Sequence, residues 1–329
     1  MWAKGIPDGG LHPGPAREKP ETMLAILSQL LPFFALIGLG YAAVRRGFFS
    51  EDAIDALTRF VFWFALTAML FHFSSELSLG QIFDWPLAGA YLVATGAVNL
   101  LALTVARLRG EPLGVAVVEA QTAVIGNTGF LGIPLLVALL GREAVAPMLM
   151  MLTIDLAVFG SLFTILITLS RSGRMSAGLP RRIGRGLVTN PMLVALALGL
   201  AWSATGWTVP GPADRTLTLL SAAATPGALF AIGGSLAARG LDRVAVGGWL
   251  SFAKLVLHPA AVALALLAVG RADGFAAQVM IATAALPVAG NVYMLAQHYG
   301  VAPYRVSTAI LMSTLGSLVT LTATLVWTK

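Results

Sequence analysis

The sequence predicts an all-α polytopic membrane protein: ten transmembrane helices in two inverted five-helix repeats, with helices 4 and 9 broken. Three observations carry this. Charge is scarce, with 57% of residues apolar, 11% charged and a mean hydropathy of +0.84. A soluble domain of this size needs far more surface charge. The apolar stretches are continuous and rich in Leu and Ala, whereas a membrane β-barrel would alternate polar and apolar residues. Finally, the two halves of the chain resemble each other.

The elements follow in order. Residues 1–22 are rich in Gly, Pro and charge and read as a disordered tail. They hold no apolar run of signal-peptide type. Met23 opens the first strongly apolar run, so either Met1 or Met23 is the true start. A spanning helix takes about 20 apolar residues. Ten candidate spans fit: 23–44, 52–74, 86–107, 113–140, 145–169, 188–205, 212–237, 245–269, 275–299 and 303–327. Polar breaks such as Arg45-Arg46-Gly47 and Arg109-Gly110-Glu111 separate them. The organisation is therefore a first repeat over 23–169, a basic cytoplasmic loop over 170–187 and a second repeat over 188–329.

Charge gives the orientation. Connections after the odd spans carry Arg45, Arg46, Arg107, Arg109, the five arginines of 170–187, Arg239, Arg243 and Arg305. The opposite connections carry only Arg142, Arg215 and Arg271. Both termini are expected outside. Topology and anionic lipid account for the net charge of +6, so no nucleic-acid partner is implied.

The repeat is clearest at the end of each half. Val145-Ala146-Pro147 is followed by Gly160-Ser161-Leu162 and Thr164; Val301-Ala302-Pro303 is followed, at the same spacing, by Gly316-Ser317-Leu318 and Thr320. With five spans in each half, the second copy must insert upside down. That is the plan of secondary transporters, whose sites lie near the midplane between discontinuous helices. Span 4 carries Gly126, Asn127, Gly129, Gly132 and Pro134; span 9 carries Pro287, Gly290 and Asn291. Proline removes a backbone donor and glycine adds freedom. Unwound backbone at membrane depth is tolerated only inside protein or beside a water-filled cavity. An opened helix also presents the positive end of a half-helix to an anion. Asn127 and Asn291 can donate to a carboxylate or accept from a protonated one. Gly and Pro also kink ordinary membrane helices, but two clusters at equivalent positions, each with an Asn, favour a site.

Asn127-Thr128-Gly129-Phe130-Leu131-Gly132-Ile133-Pro134 resembles the fourth-span motif of the auxin efflux carrier family, which includes plant PIN-FORMED carriers and bacterial malonate and malate permeases. Ala285-Leu286-Pro287-Val288-Ala289-Gly290-Asn291 resembles the ninth. Weaker likenesses lie in Leu31-Pro32, Gly38-Leu39-Gly40-Tyr41, Arg45 to Ser50, Thr189-Asn190-Pro191 and Pro226 to Phe230. The resemblance covers 23–327. It implies that spans 4 and 9 cross at their breaks. It also implies that spans 3–5 and 8–10 move as a transport domain against a scaffold of spans 1, 2, 6 and 7, that the chain forms a homodimer, and that the cargo is a small organic acid. Plant members carry a large central loop; this chain has a short one, so the resemblance favours the bacterial side and the inner (plasma) membrane of a bacterium.

Ionisable residues inside spans are functional candidates. Asp155, mid-span 5, is read either as a site for H⁺ or Na⁺ or as a hydrogen-bonded packing carboxyl. Its counterpart in the second half is Leu311, so the repeat lends the first reading no support. Lys254 and Arg59 are expected to snorkel to an interface. Glu119 is expected near a membrane face, and His258 as a hydrogen-bonded core histidine. His72 and His298 are placed at helix ends facing water. Tyr293 and Gln297 follow the span 9 break and are expected along a cavity. Gly233, Gly234 and Ser235 mark close helix packing.

No enzymatic constellation is present. The chain has no cysteine, its four histidines lack metal-ligand spacing, and no phosphate-binding loop occurs. No cofactor is expected beyond coupling H⁺ or Na⁺, and the partners are the substrate, the bilayer and a second copy. The reading is a secondary transporter of small organic anions such as malate, malonate or auxin-like acids. Its substrate residues are Asn127, Gly129, Pro134, Pro287, Gly290, Asn291 and Tyr293. The alternative is a Na⁺-coupled bile-acid-like symporter or a cation/proton antiporter on the same plan, with Asp155 central.

Overall fold

The chain folds into helices joined by short connections, as a computed structural model that describes residues 23–172, 178–237 and 243–328. The tail, Arg174 and Arg239 lie outside the described residues. Among the described residues no strand forms, and a single isolated antiparallel bridge joins Gly126 to Val288.

In chain order, α1 is Met23–Arg45 and α2 is Glu51–Ser75. Ser50 caps α2 by accepting from the Ala53 N–H at 3.2 Å, and Glu51 and Asp52 complement the positive end of its dipole. The short α3, Leu79–Ile82, starts with a reciprocal Ser78–Gln81 capping box. Then come α4 (Trp85–Leu108), α5 (Leu113–Val124), α6 (Thr128–Leu140) and α7 (Arg142–Arg171). The second half holds α8 (Leu179–Thr189), α9 (Pro191–Ala204), α10 (Gly211–Ala237) and α11 (Val244–Ala268). It ends with α12 (Phe275–Ala284), α13 (Gly290–His298) and α14 (Pro303–Trp327).

Six of these helices are long and apolar enough to cross a membrane: α2, α4, α7, α10, α11 and α14. The pair α8–α9 is bent by 66° at its break. The sequence read residues 179–187 as loop and started span 6 at 188; the structure instead makes α8 a helix of its own. Pro191 cannot extend it, and the Asn190 side chain starts the next helix by accepting from Met192 and Leu193 N–H groups at 3.0 and 3.4 Å. The order short helix, break, short helix, long helix occurs twice, as α5–α6–α7 and α12–α13–α14.

Large apolar side chains face outward along α4, α11 and α14, among them Val93, Leu100, Leu264 and Leu315. Exposed Trp85, Trp207 and Trp327 stand at or beside helix ends, where amphipathic rings suit a membrane interface. Between helices, small residues let backbones approach. A Cβ on Gly233 would lie 1.8 Å from the Ile37 carbonyl oxygen, and one on Gly40 would lie 2.1 Å from that of Phe230, so α1 and α10 touch backbone to backbone. Gly199 does the same for α9 against α2, at Ser74 and Phe71. Close packing replaces the hydrophobic effect as the source of helix association in lipid.

Candidate functional site: two broken helices meet over a cavity

The two breaks predicted from Gly and Pro fall where expected, and they touch. The α5 helix ends at Val124 and α12 ends at Ala284. Between the paired segments, the Asn127 N–H donates to the Pro287 carbonyl at 2.8 Å and the Ala289 N–H donates to the Ile125 carbonyl at 3.0 Å. These two bonds form the Gly126–Val288 bridge. Backbone freed by the breaks is thus satisfied by the opposite break, as burial requires. The Ser313 hydroxyl accepts from the Val288 N–H at 3.1 Å and braces the crossing from α14.

Two helix N-termini open beside this bridge. α13 begins at Gly290 with no side-chain cap, and α6 begins at Thr128 with a π-turn over Thr128–Gly132. A cavity of about 520 Å³ lies against them; Gly129, Phe130, Asn127, Gly290 and Asn291 are in its wall, with Asp155. A second cavity of about 280 Å³ shares Asn127, Gly290 and Asn291 and adds Tyr293 and Gln297. The Asn291 Oδ1 is buried and has no hydrogen-bond partner among the described residues. A buried orphan acceptor costs about 1–3 kcal/mol unless a ligand or water meets it. Around Gly290 a Cβ would meet open space, so the backbone itself faces the cavity.

The expected site residues therefore divide. Asn127, Gly129, Gly290 and Asn291 line the larger cavity, and Tyr293 the smaller. Pro287 contributes its carbonyl to the bridge, and Pro134 is buried just past the π-turn; neither is part of a cavity wall. Gly129 also leaves room for Met192 of α9, whose Cε would stand 2.5 Å from a Cβ there.

Arg59 was expected to snorkel. It instead lines both cavities, and Arg182 of α8 lines the larger. Neither forms a salt bridge among the described residues. Phe62 stacks on Phe130, ring centroids 6.3 Å apart and 7° from parallel, and both belong to the cavity wall. The site is thus apolar and amide-lined, with free guanidinium groups towards the end that holds α8.

Lys254 differs most from its sequence reading. Snorkelling is ruled out by complete burial. Its ammonium donates to the Ala284 carbonyl and approaches His258 Nδ1 at 3.3 Å. His258, the expected core histidine, pairs through Nε2 with Thr95 at 3.0 Å. Tyr91 donates to Asp155 at 2.7 Å. Lys254 sits ten residues into a 25-residue helix. That depth was the signal that it could not reach an interface.

Glu119, expected near a membrane face, is fully buried and paired with Arg109 and, at 2.6 Å, with Arg305. Arg305 also holds Glu111 at 2.8 Å. That hydrogen bond keeps the Glu111 carboxyl below its ordinary value, with the charges of Arg305, Arg243 and Arg109 adding to the effect.

A family described as membrane transport protein matches residues 25–325. The chain belongs to the auxin efflux carrier family. A Rhizobium meliloti (strain 1021) protein provisionally named a malonate transporter is 31% identical over 309 residues, covering 92% of this chain and 96% of that one. Auxin efflux carrier component 5 of Arabidopsis thaliana is 23% identical, over 91% and 95% of the two chains. The uncharacterized transporter YfdV of Escherichia coli (strain K12) is 28% identical, over 89% and 95%. As an auxin efflux carrier family member, the chain is an integral membrane transporter and not an enzyme.

Proposed function

We propose that the chain carries small organic anions across the bacterial inner membrane by alternating access at the meeting of the two breaks. The observation that carries this reading is the Asn291 amide beside the uncapped N-terminus of α13, in the wall of a cavity that also holds Asn127: its Oδ1 is unpartnered among the described residues, and its NH2 can donate to a carboxylate. Half-helix N-termini aimed at a midplane cavity suit a carboxylate. Asn127 and Asn291 contact the substrate, with Gly129 and Gly290 offering backbone and Tyr293 bordering the smaller cavity. Pro134 and Pro287 hold the breaks open. Arg59 and Arg182 raise the local concentration of anions at the mouth. If uptake is coupled to an ion, Asp155 is the carboxylate through which it acts.

The same reading takes the chain as ten spans in two inverted five-span repeats. The antiparallel sense of the Gly126–Val288 bridge and the twofold recurrence of helix, break, helix support it. The basic end bearing α8 then faces the cytoplasm, both termini face outside, and the cavity opens inward. Spans 3–5 and 8–10 move together against spans 1, 2, 6 and 7, and the scaffold pairs with a second copy. Malonate heads the substrate candidates because of the name carried by the Rhizobium relative; malate and indole acetate follow. Purified protein in proteoliposomes should accumulate at least one of these labelled acids. Failure with all three, across imposed pH and Na⁺ gradients, would overturn the reading.

A further inference from the structure

Beneath the crossing lies a cluster of polar groups that substrate binding does not use. Lys254 stands at its centre. Several elements bring recognisable groups towards the ammonium. From α12 comes the carbonyl of Ala284, the last residue of that half-helix, where the dipole is negative. From α7 comes Asp155, which lies in the same buried region, is bonded to Tyr91 of α4 and makes no direct ion pair with Lys254. From α11 itself comes His258, tied to Thr95 of α4. From the first break comes Gly126, where a Cβ would lie 3.2 Å from both Cε and Nζ of Lys254. A carboxylate, the carbonyl end of a half-helix and unwound backbone are the groups with which discontinuous helices coordinate a coupling cation. Here that place is filled by a side chain.

The helices are distorted to achieve it. Asp155 opens a π-turn over Asp155–Phe159, and Lys254 lies in a second one over Ala253–Leu257. Such turns inside α-helices are rare and occur often at functional sites. Each adds a residue to one turn, which rotates the side chains on either side of it relative to each other.

We propose that the Lys254 ammonium is a resident cation that holds Asp155 and the end of α12 in place of an exchangeable metal ion, so that this carrier needs no Na⁺. Lys254 is a positioning residue: it acts on the crossing through Asp155, Ala284 and the space left by Gly126. The proposal rests on the crossing being the carrier's site, and it removes Na⁺ from the coupling ions open to Asp155.

The test compares melting temperature and uptake in sodium chloride and in choline chloride. The wild-type protein is expected to melt at the same temperature in both and to take up its acid equally well. Lys254→Met exposes the carboxylate and carbonyl, so Na⁺ should raise its melting temperature. The double variant Lys254→Met with Asp155→Asn should lose that response. Uptake by Lys254→Met in choline should fall by about tenfold or more, since a buried carboxylate loses its nearby cation. A wild-type protein stabilised or driven by Na⁺ overturns the proposal, and this holds even if Lys254→Met does not fold. So does a folded Lys254→Met that melts alike in both salts. Should no acid be transported while the Na⁺ responses follow the pattern above, the organic-anion reading fails and the resident cation stands.

Discussion

At the scale of single residues, the site depends on amides and backbone rather than on charge. Replacing Asn291 by Ala removes an amide whose Oδ1 has no partner among the described residues and whose NH2 can donate to a carboxylate. The fold should therefore keep its melting temperature within a degree or two, while uptake falls by about tenfold or more, the cost of one unmade hydrogen bond to a charged ligand. Measuring both on the same preparation separates binding from stability. Asn127 differs. Its backbone N–H and carbonyl are tied to Pro287, Leu131 and Gly132, and those bonds survive in Asn127→Ala, so it too should fold and fail to transport. That both asparagines stand at the breaks, in a cavity wall, was legible in the sequence, because Gly and Pro beside them mark where the helices open. Arg59 and Lys254 were misread for a shared reason. A long cationic side chain can reach in either direction, and sequence gives its depth but not which neighbours close over it. Lys254 lies ten residues into α11 and Arg59 eight residues into α2, in its third turn, so depth already counted against snorkelling for both.

At the scale of elements, breaks and close approaches dominate. The sequence placed both breaks within a few residues, since Gly and Pro act locally through backbone geometry. It could not show that the breaks pair with each other, because the Asn127–Pro287 bond spans the two halves. The π-turns in α2, α7 and α11 were not legible either. They answer to packing and have no fixed residue signature. The α1–α10 contact offers a test. Gly233→Val would drive its branches into the Ile37 carbonyl, and overpacking of this kind costs about 1–3 kcal/mol. A clear fall in melting temperature in detergent is expected. Gly290→Ala, with open space around it, should melt normally and report on the cavity through uptake alone.

Across the whole molecule, many of the scarce charges outside the helix interiors pair near helix ends, where they tie distant parts of the chain together. Arg109, Glu111, Glu119, Arg243 and Arg305 link the start of α5 to the starts of α11 and α14. At the opposite end, Arg142 bonds Glu76, His72 bonds Asp214 and Arg271 bonds Asp84. The sequence used these residues for orientation and could not foresee their pairing. The Glu111 carboxyl, held below its ordinary value, contributes stability that is fully present above that value and is lost as pH falls through the lowered one. Glu111→Gln should therefore melt below wild type at neutral pH, and the gap should close in acid. Truncating Arg305 to Met leaves Glu119 with Arg109 alone and should destabilise by less than the about 3–5 kcal/mol of a fully orphaned buried charge, but by more than the exposed Arg142→Met, expected to cost about 1 kcal/mol or less. The arrangement of helices thus joins two chain halves through one paired break and one ionic cluster, with the proposed anion site at the first. Equilibrium binding of malonate, malate and indole acetate to the wild-type protein, Asn127→Ala and Asn291→Ala tests that placement most directly. At least one acid should bind the wild type and lose about tenfold or more in affinity on both folded variants; equal affinity in all three proteins would contradict a carboxylate site at the crossing.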